Sequence, residues 1–281
     1  MSNFIVLQTD FSLNWPFVAT MKGVIKQIDP SLEVYDGVHT IKKFSILDAS
    51  QQLDYVAAYW PKGTIFVSVV DPGVGTARKA SVALLNNGCY VITPDNGTLT
   101  HVQKHIGIQE IKEIDASIRY EGTENVSVFH GRDIFAYAAA KLASGQIAFE
   151  DLGKTYSVED IVLLDGRYLQ AKVTGKNIEG IVSNVSDPFG SIVFNILTDD
   201  FIDVGYKHGD WVHVTLANPD GIYFDEDVLY EKSFGFVEIG KPILYNSSSN
   251  YISLGLNQDS FKDHYPVEAG LEYSVILQAN N

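Results

Sequence analysis

The sequence is almost without cysteine, and this excludes two kinds of stabilising site. Cys89 is the one cysteine among 281 residues, so no disulfide can form within the chain and no cysteine-based zinc site can be built. The seven histidines do not form a metal-binding pattern in place of cysteines. His101 and His105 are four residues apart but lack the glutamate of an H-E-x-x-H motif. We therefore expect no metal site and place both histidines on a solvated helix face.

Positive charge is also scarce. The chain has 20 lysines and arginines against 35 aspartates and glutamates, which gives a formal net charge of −15. A field of this sign repels phosphate backbones and anionic membranes. Nucleic acids and lipid surfaces are therefore disfavoured as partners, whereas a neutral or cationic small molecule is compatible with the charge.

Long hydrophobic runs are missing as well. No apolar run approaches the roughly 18 residues needed to cross a membrane, and the first residues, MSNFIVLQTDF, lack the basic segment of a secretory signal peptide. Hydrophobic residues still make up 46% of the chain, which is enough for a buried core at this length. We expect a cytoplasmic enzyme or binding protein with two domains.

The first expected domain, residues 1–164, alternates strand and helix signals. Apolar residues recur at helical spacing over Val18–Ile28 and Ile46–Trp60. The run Thr64–Val70 is mostly apolar and β-branched, as in a strand covered on both faces. An alanine-rich helix is expected over Asp133–Ala143. This alternation predicts a layered α/β domain with a mostly parallel sheet.

The second expected domain, residues 171–281, has a different pattern. Helical periodicity fades, and short β-type runs separated by Gly, Asn, Asp and Pro follow one another, for example Ile192–Leu197, Trp211–Thr215 and Phe234–Ile239. Regular short strands with turn signals are typical of a small barrel or sandwich. The link between the domains is expected within residues 163–170.

Three aspartates follow predicted strands of the first domain. Asp10, Asp71 and Asp95 each come just after a strand, and open α/β sheets bind ligands where the carboxyl ends of their strands converge. The sequence therefore predicts a pocket rim. A second interpretation of Asp71 stays open, because Asp-Pro-Gly is a turn sequence in which the aspartate can simply cap the turn.

Two short segments add a cation and a titratable base. VVDPGVGTAR contains Asp71 and Arg78, and FHGRD contains His130. The glycines of the first segment do not indicate a phosphate loop, since neither G-K-[ST] nor G-x-G-x-x-G is present. His130 is either a general base or a structural histidine at a helix start, where Asp133 would be a helix-cap or first-turn acid.

Taken together, the motifs resemble those of a known enzyme family. TDF with MKGVI, VVDPGVGTAR, PDNGTLT and FHGRD, followed by SDPFGS, are similar to the S-adenosyl-L-methionine (SAM) hydroxide adenosyltransferases. These are adenosine-forming SAM hydrolases, related to fluorinase and chlorinase. The resemblance covers nearly the whole chain. It implies an N-terminal α/β domain with a smaller C-terminal β-barrel, cleavage of SAM by water without a cofactor, and a homotrimer with sites at subunit interfaces.

The same resemblance implies roles for single residues. Asp71, Arg78 and His130 match the catalytic trio of the family, and the halogenating relatives carry other residues at the aspartate and histidine positions. The resemblance therefore implies water as the nucleophile, and which of Asp71 and His130 takes its proton stays open. Asp10 matches a carboxylate that contacts the ribose hydroxyls, and Phe44 matches an aromatic residue that covers the ligand. The substrate-contacting positions are Asp10, Phe44, Gly131, Asp187, Phe189, Ser191, Ser248, Ser253 and Leu256.

The chain departs from the family pattern at four ligand-contact positions. Trp15 stands where the family has an acid, and Ser12 stands where it has a glycine. Ser191 replaces an asparagine, and Ser253 replaces a glutamate.

These changes leave Asp71, Arg78 and His130 in place. They fall at ligand contacts, so they leave the identity of the ligand open. Two alternatives therefore stay open: a non-catalytic protein that binds adenosine or SAM, and a hydrolase of another 5′-activated nucleoside.

Overall fold

The computed structural model describes residues 4–186 and 188–279, and the chain divides into two compact units. The N-terminal unit comprises Met1–Leu164 and the C-terminal unit comprises Asp165–Asn281. Among the residues described, no helix combines the length and the apolar character needed to span a membrane.

A seven-stranded mixed sheet forms the centre of the N-terminal unit. Its strands are β1 (Phe4–Thr9), β2 (Glu33–Val38), β3 (Ile65–Val69), β4 (Ala80–Leu85), β5 (Tyr90–Pro94), β6 (Ile108–Ile114) and β7 (Gly153–Tyr156). They are arranged in the order β2-β1-β3-β5-β4-β6-β7. The first four strands of this order are mutually parallel, and each remaining pairing is antiparallel. Five strands (β2, β1, β3, β5 and β6) therefore run one way and two run the other way.

Helices cover both faces of this sheet. They are α1 (Phe17–Ile28), α2 (Ile46–Ala57), α3 (Thr100–His105) and α4 (Tyr137–Ala143), with a π-helical turn over Gly131–Ala136 before α4 and 3-10 turns over Phe149–Asp151 and Val158–Asp160. Successive residues of β1 face opposite layers, as a strand requires. Ile5 and Leu7 share a buried cluster with Met21 of α1, whereas Val6 packs in a cluster with Leu53 of α2.

The C-terminal unit is a closed β-barrel. Its strands are β8 (Lys172–Thr174), β9 (Asn177–Val185), β10 (Ile192–Leu197), β11 (Trp211–Asn218), β12 (Gly221–Tyr230), β13 (Pro242–Asn246), β14 (Tyr251–Leu256) and β15 (Ser274–Ala279). They follow the order β10-β14-β13-β12-β11-β15-β9-β8, and an additional pairing of β9 with β10 closes seven of them into the barrel. Closure removes the unpaired edges of the sheet. The unit also contains α5 (Thr198–Asp203), α6 (Phe261–His264) and 3-10 turns over Gly166–Tyr168 and Phe234–Phe236.

The predicted fold class is confirmed, but one predicted strand is wrong. Phe234–Ile239 has the aromatic and β-branched composition of a strand, yet it forms a 3-10 turn at its start, and the next strand begins only at Pro242. Phe236 and Ile239 are exposed, so the run does not bury the alternate side chains that stabilise a strand. The predicted regular helix over Asp133–Ala143 is likewise modified, since it starts as a π-helical turn.

The expectation for His101 is wrong. Its face of α3 packs against α2, so the side chain is only 2% exposed. Its Nδ1 lies 2.8 Å from Oγ of Ser50, and its backbone N–H donates to the same oxygen at 3.1 Å. His105 is exposed, as expected, and its Nδ1 lies 2.7 Å from the Asp54 carboxylate. His101 is therefore a structural core residue, whereas His105 is not.

The burial of His101 should make stability depend on pH. Burial lowers its pKa from 6.5 to about 4, so between these values the unfolded chain binds a proton that the folded chain does not. The free energy of unfolding therefore falls as the pH falls through this window, by up to about 1.4 kcal/mol per pH unit from this residue. In urea unfolding at about pH 7 and about pH 5, we expect His101→Asn to lose less stability on acidification than the native chain. His208→Asn, at an exposed histidine, is the control, and an unchanged loss in His101→Asn would contradict the prediction.

Candidate active site

The carboxyl ends of β1, β3 and β5 lie side by side, because these strands are parallel neighbours. Asp10, Asp71 and Asp95 therefore reach the same edge of the sheet, as the order of the strands in the sequence predicts. Asp95, however, is buried, and its carboxylate accepts hydrogen bonds from the Tyr156 hydroxyl at 3.1 Å and the Val162 backbone N–H at 2.9 Å. These contacts give Asp95 a structural role, and they leave Asp10 and Asp71 as the aspartates available to a ligand.

Arg78 joins Asp71 to His130, and we call these three residues the trio. Its Nε donates to Oδ1 of Asp71 at 2.9 Å, its Nη2 donates to Oδ2 of the same carboxylate, and Nη2 also lies 2.9 Å from Nδ1 of His130. The side chains of Arg78 and Asp71 are only 10% and 5% exposed. A paired fork of this kind is both stronger and more directional than a single hydrogen bond. The Asp71 carboxylate is therefore engaged by Arg78 rather than by its own turn.

The segment that carries Asp71 and Arg78 touches the segment that precedes His130. Gly75 has a φ of +77°, and a Cβ at this position would lie 2.8 Å from the carbonyl oxygen of Ser127. Only glycine accommodates both the left-handed backbone and this close approach. The two motifs that stand apart in the sequence are therefore fitted against each other through main-chain atoms.

Two further contacts hold these segments against β3. Gly131 is buried, and a Cβ there would lie 3.3 Å from Cγ1 of Val69 and 3.5 Å from the Phe11 ring. Asn96 of the PDNG motif donates from Nδ2 to the Val70 carbonyl at 2.9 Å. The end of β3 is thus in contact with the FHGRD segment through Gly131 and with the PDNG motif through Asn96.

The electrostatic surroundings of His130 favour its neutral form. Burial and then the positive charges of Arg78 and Arg119 lower the pKa of His130, while the carboxylates of Asp71 and Asp133 act in the opposite direction. Arginine has no acceptor atom, so Nη2 donates and Nδ1 of His130 accepts. The imidazole is therefore neutral and carries its proton on Nε2.

An aromatic cluster next to the trio has no counterpart among the residues singled out from the sequence. The Arg78 guanidinium lies over Phe135, with Cζ 5.3 Å from the ring centroid. Phe129 contacts Phe11 and Phe17 with centroid distances of 5.8 and 5.5 Å. Phe11 belongs to TDF and Phe129 to FHGRD. The presence of a phenylalanine in each of these two motifs was the signal in the sequence that could have predicted the cluster.

Asp10 is linked to a strained residue with an exposed ring. The Phe44 backbone N–H donates to Oδ2 of Asp10 at 2.9 Å, and Phe44 has a φ of +64°. Its side chain is 70% exposed, and Trp15, which stacks on Phe17 with centroids 6.3 Å apart, is 67% exposed. A positive φ is uncommon for a residue with a bulky side chain. The two large exposed aromatic rings are likewise notable, because such rings are usually buried. They provide apolar surface close to the sheet edge that carries Asp10.

Ser191 and Ser253 come together in the C-terminal unit around a third residue. Both serines are buried, and Ser253 of β14 is paired in register with Tyr245 of β13. Burial raises the pKa of Tyr245, and the neighbouring hydroxyls of the two serines act in the opposite direction. Tyr245 was missed in the sequence, although it lies two residues before the serine-rich stretch that follows β13.

The remaining predicted contact residues of this unit lie on turns and at a strand end. Phe189 is exposed in the turn before β10, Ser248 is exposed between β13 and β14, and Leu256 is buried at the end of β14. Asp187 lies outside the described residues. Within residues 4–186 and 188–279, no group of three or more His, Cys, Asp or Glu side chains is placed to hold a metal ion.

The trio offers a defined set of donors and acceptors. Each Asp71 oxygen keeps a lone pair beyond the one that Arg78 occupies, and the Nε2–H of His130 remains available for donation. The trio therefore presents a carboxylate acceptor and an imidazole donor, the two kinds of group that can orient and deprotonate a water molecule.

Comparison with family models gives two matches. The chain matches the SAM hydroxide adenosyltransferase N-terminal domain over residues 5–153 and the SAM hydroxide adenosyltransferase C-terminal domain over residues 184–274. The two matches together include well over half of the chain and every residue of the trio.

Similar proteins include hydrolases and halogenating enzymes. The chain is 31% identical to an (R)-S-adenosyl-L-methionine hydrolase of Methanocaldococcus jannaschii over 258 residues, covering 85% of this chain and 88% of the relative. It is 26% identical to a fluorinase of Nocardia brasiliensis, covering 96% of each chain. A solved structure of an uncharacterized conserved protein from Thermotoga maritima is 32% identical, with a TM-score of 0.88 over 98% of this chain and 99% of that chain.

Removing the Arg78 charge should change the titration of His130. Because Arg78 is one of the causes that lower the pKa of His130, we expect Arg78→Gln to raise it, as followed by NMR of the imidazole. Lys79→Gln is a matched control, since it removes a neighbouring cation that is not among those causes. An unchanged or lower pKa of His130 in Arg78→Gln would show that the contact does not exist in solution.

Proposed function

Because the chain belongs to the SAM hydroxide adenosyltransferase family, we propose that it hydrolyses SAM to adenosine and L-methionine. The observation that carries this proposal is the contact of Arg78 with both Asp71 and His130 at the end of β3. We further propose that its substrate is SAM with the (R) configuration at the sulfonium centre, because similar proteins are named (R)-S-adenosyl-L-methionine hydrolase.

The proposed reaction forms a C–O bond, breaks a C–S bond and transfers one proton from water to a base. The oxygen of water attacks C5′ of the ribose, the C5′–S bond breaks, and its electron pair stays on sulfur. Methionine therefore departs as a neutral thioether that needs neither protonation nor a Lewis acid, and we propose no cofactor. The barrier lies in placing water in line with the C5′–S bond and in removing its proton.

Asp71 is our assignment for the proton acceptor. Nδ1 of His130 is engaged by Arg78, and Nε2 already carries the proton, so the imidazole has no vacant acceptor. Asp71 still has lone pairs that can receive a proton. His130 would donate to the water oxygen and fix its direction, while Arg78 holds both partners and stabilises charge as hydroxide develops.

Water suits this site better than halide. A halide ion would have to give up its hydration shell beside the Asp71 carboxylate, where two negative charges repel each other in a partly buried setting. Water carries no charge and gains a hydrogen-bond acceptor from the same carboxylate. The presence of Asp71 therefore supports hydrolysis over the reaction of the fluorinase relatives.

Substrate contacts are proposed at both units. Asp10 would contact the ribose hydroxyls, Phe44 would cover the ligand, and Ser191 and Ser253 would take part in adenine and methionine contacts. The position of Asp10 and Asp71 at one sheet edge and the exposure of the Phe44 ring support the first two of these contacts. The further proposed contacts are Gly131, Phe189, Ser248 and Leu256. We also propose a cytoplasmic location.

Turnover of SAM tests the proposed function directly. Purified protein is incubated with SAM, and adenosine and methionine are measured by chromatography. We expect Asp71→Asn to lower the rate by about 10²-fold or more, because the amide keeps the shape but cannot accept the proton. His130→Asn should retain more activity than His130→Ala, since the asparagine oxygen can still accept from Arg78.

Controls separate the alternatives. Glu121→Gln, at an exposed acid, should leave the rate unchanged, and so should EDTA. Adenosine binding without turnover would instead support a non-catalytic binding protein. Cleavage of another 5′-activated nucleoside with no cleavage of SAM would support a different hydrolase, and either result would contradict the proposal.

We propose that the protein is a homotrimer with its sites at subunit interfaces, and its mass in solution tests the first part. Light scattering after size-exclusion chromatography should give three times the chain mass of 31.0 kDa. A mass of one chain at concentrations where turnover is measured would exclude the trimer as the active form.

A further inference from the structure

A buried histidine outside the trio lies behind the turn that carries Asp10. His39 follows β2 and is only 5% exposed. Its Nδ1 is 2.9 Å from Oγ1 of Thr9, and its Nε2 is 2.8 Å from Oδ1 of Asp36. Lys22 donates from Nζ to the other oxygen of Asp36 at 2.7 Å. A continuous chain of hydrogen bonds thus runs from the surface to the end of β1.

The hydrogen bonds of this chain have one direction. The Asp36 carboxylate only accepts, so Nε2 of His39 carries a proton. The other ring nitrogen, Nδ1, is hydrogen-bonded to the Thr9 hydroxyl, which is the donor of this bond when Nδ1 carries no proton. The Thr9 oxygen keeps a lone pair for the backbone N–H of Phe11, which donates to it at 3.1 Å. Each group therefore fixes the orientation of the next.

These contacts enclose Asp10 on both sides. The bond between the Phe11 N–H and the Thr9 hydroxyl closes a turn around Asp10. The main chain of His39 holds the next residue as well, because its carbonyl accepts the Ser12 N–H at 2.8 Å. Ser12 has a φ of +58°, an unfavourable conformation for a residue with a Cβ. A strained turn of this kind persists only where its surroundings over-determine it.

We propose that His39 is a positioning residue that sets the direction of the Asp10 carboxylate and thereby the recognition of the ribose hydroxyls. This inference rests on the proposed function, in which Asp10 contacts the ribose. Oδ2 of Asp10 accepts the Phe44 N–H at 2.9 Å, so the carboxylate is already fixed at one oxygen. Loss of His39 would free the Thr9 hydroxyl and let the turn rotate. The carboxylate would then no longer face a sugar hydroxyl.

Equilibrium binding of adenosine and 2′,3′-dideoxyadenosine tests this on the full chain. The two ligands share the base and differ only in the hydroxyls that Asp10 would contact. We expect the native chain to prefer adenosine by about tenfold or more, the range for hydrogen bonds to a charged group. His39→Ala should reduce the preference to about the value of Asp10→Asn, chiefly by weakening adenosine binding.

Three further measurements separate positioning from general damage. The affinity for 2′,3′-dideoxyadenosine should stay the same in His39→Ala, because the base contacts do not depend on the turn. His39→Asn should restore most of the preference, since its side-chain oxygen can accept the Thr9 hydroxyl. His101→Ala, at a second buried histidine of the same unit, should keep the native preference. In turnover, His39→Ala should raise KM for SAM more than it lowers kcat.

The outcomes distinguish the inference from the function on which it rests. If the native chain prefers adenosine and His39→Ala keeps the same preference, His39 has no positioning role. The proposed function of SAM hydrolysis would still stand in that case. Equal weakening of both ligands would also overturn the inference, because it would indicate general damage to the site. If the native chain binds neither SAM nor adenosine, the proposed function falls and the inference falls with it.

Discussion

The fork between Arg78 and Asp71 is the interaction on which the rest of the site depends. It places two opposite charges in a nearly buried position, where each is stable only because the other is present. Arginine cannot release its proton in this setting, so every group that shares a hydrogen bond with it must be the acceptor. That single constraint fixes the neutral state of His130 and leaves the remaining acceptor capacity on the carboxylate.

The fold brings this fork, which lies within one segment, together with His130 from a distant part of the chain. Parallel neighbours β1, β3 and β5 end at one edge, and the loop after β3 reaches the start of the π-helical turn. The contact requires glycine at Gly75, where a Cβ would collide with the Ser127 carbonyl oxygen, and the packing is also tight at Gly131, where a Cβ would lie 3.3 Å from Val69. Main-chain packing therefore sets the positions of the charged side chains, and Phe135 shields the guanidinium from one side.

Much of this was predictable from the sequence, and the failures have physical causes. Alternating strand and helix signals and the order of the motifs were sufficient for the fold class and for bringing Asp71 and Arg78 to a strand end. Burial was the weak point. His101 looked solvated because its partners Ser50 and Asp54 lie on another helix, far away in the chain. Tyr245 was invisible for the same reason, since its role depends on strand register, which local patterns do not specify. The sequence also could not predict which ring nitrogen of His130 carries the proton, because this follows from the contact of Nδ1 with Arg78.

The π-helical turn over Gly131–Ala136 also constrains how this protein can vary in length. Such a turn holds more residues than a regular helical turn, because its hydrogen bonds span five residues, and π-helical turns are frequent at functional sites. Deleting one residue there would restore regular winding and rotate the helix start by about a quarter turn relative to β3. His130 would then leave the Arg78 guanidinium even though every motif residue was retained. We therefore expect a relative with one residue fewer at this turn to have a changed active site, whichever residues flank the gap.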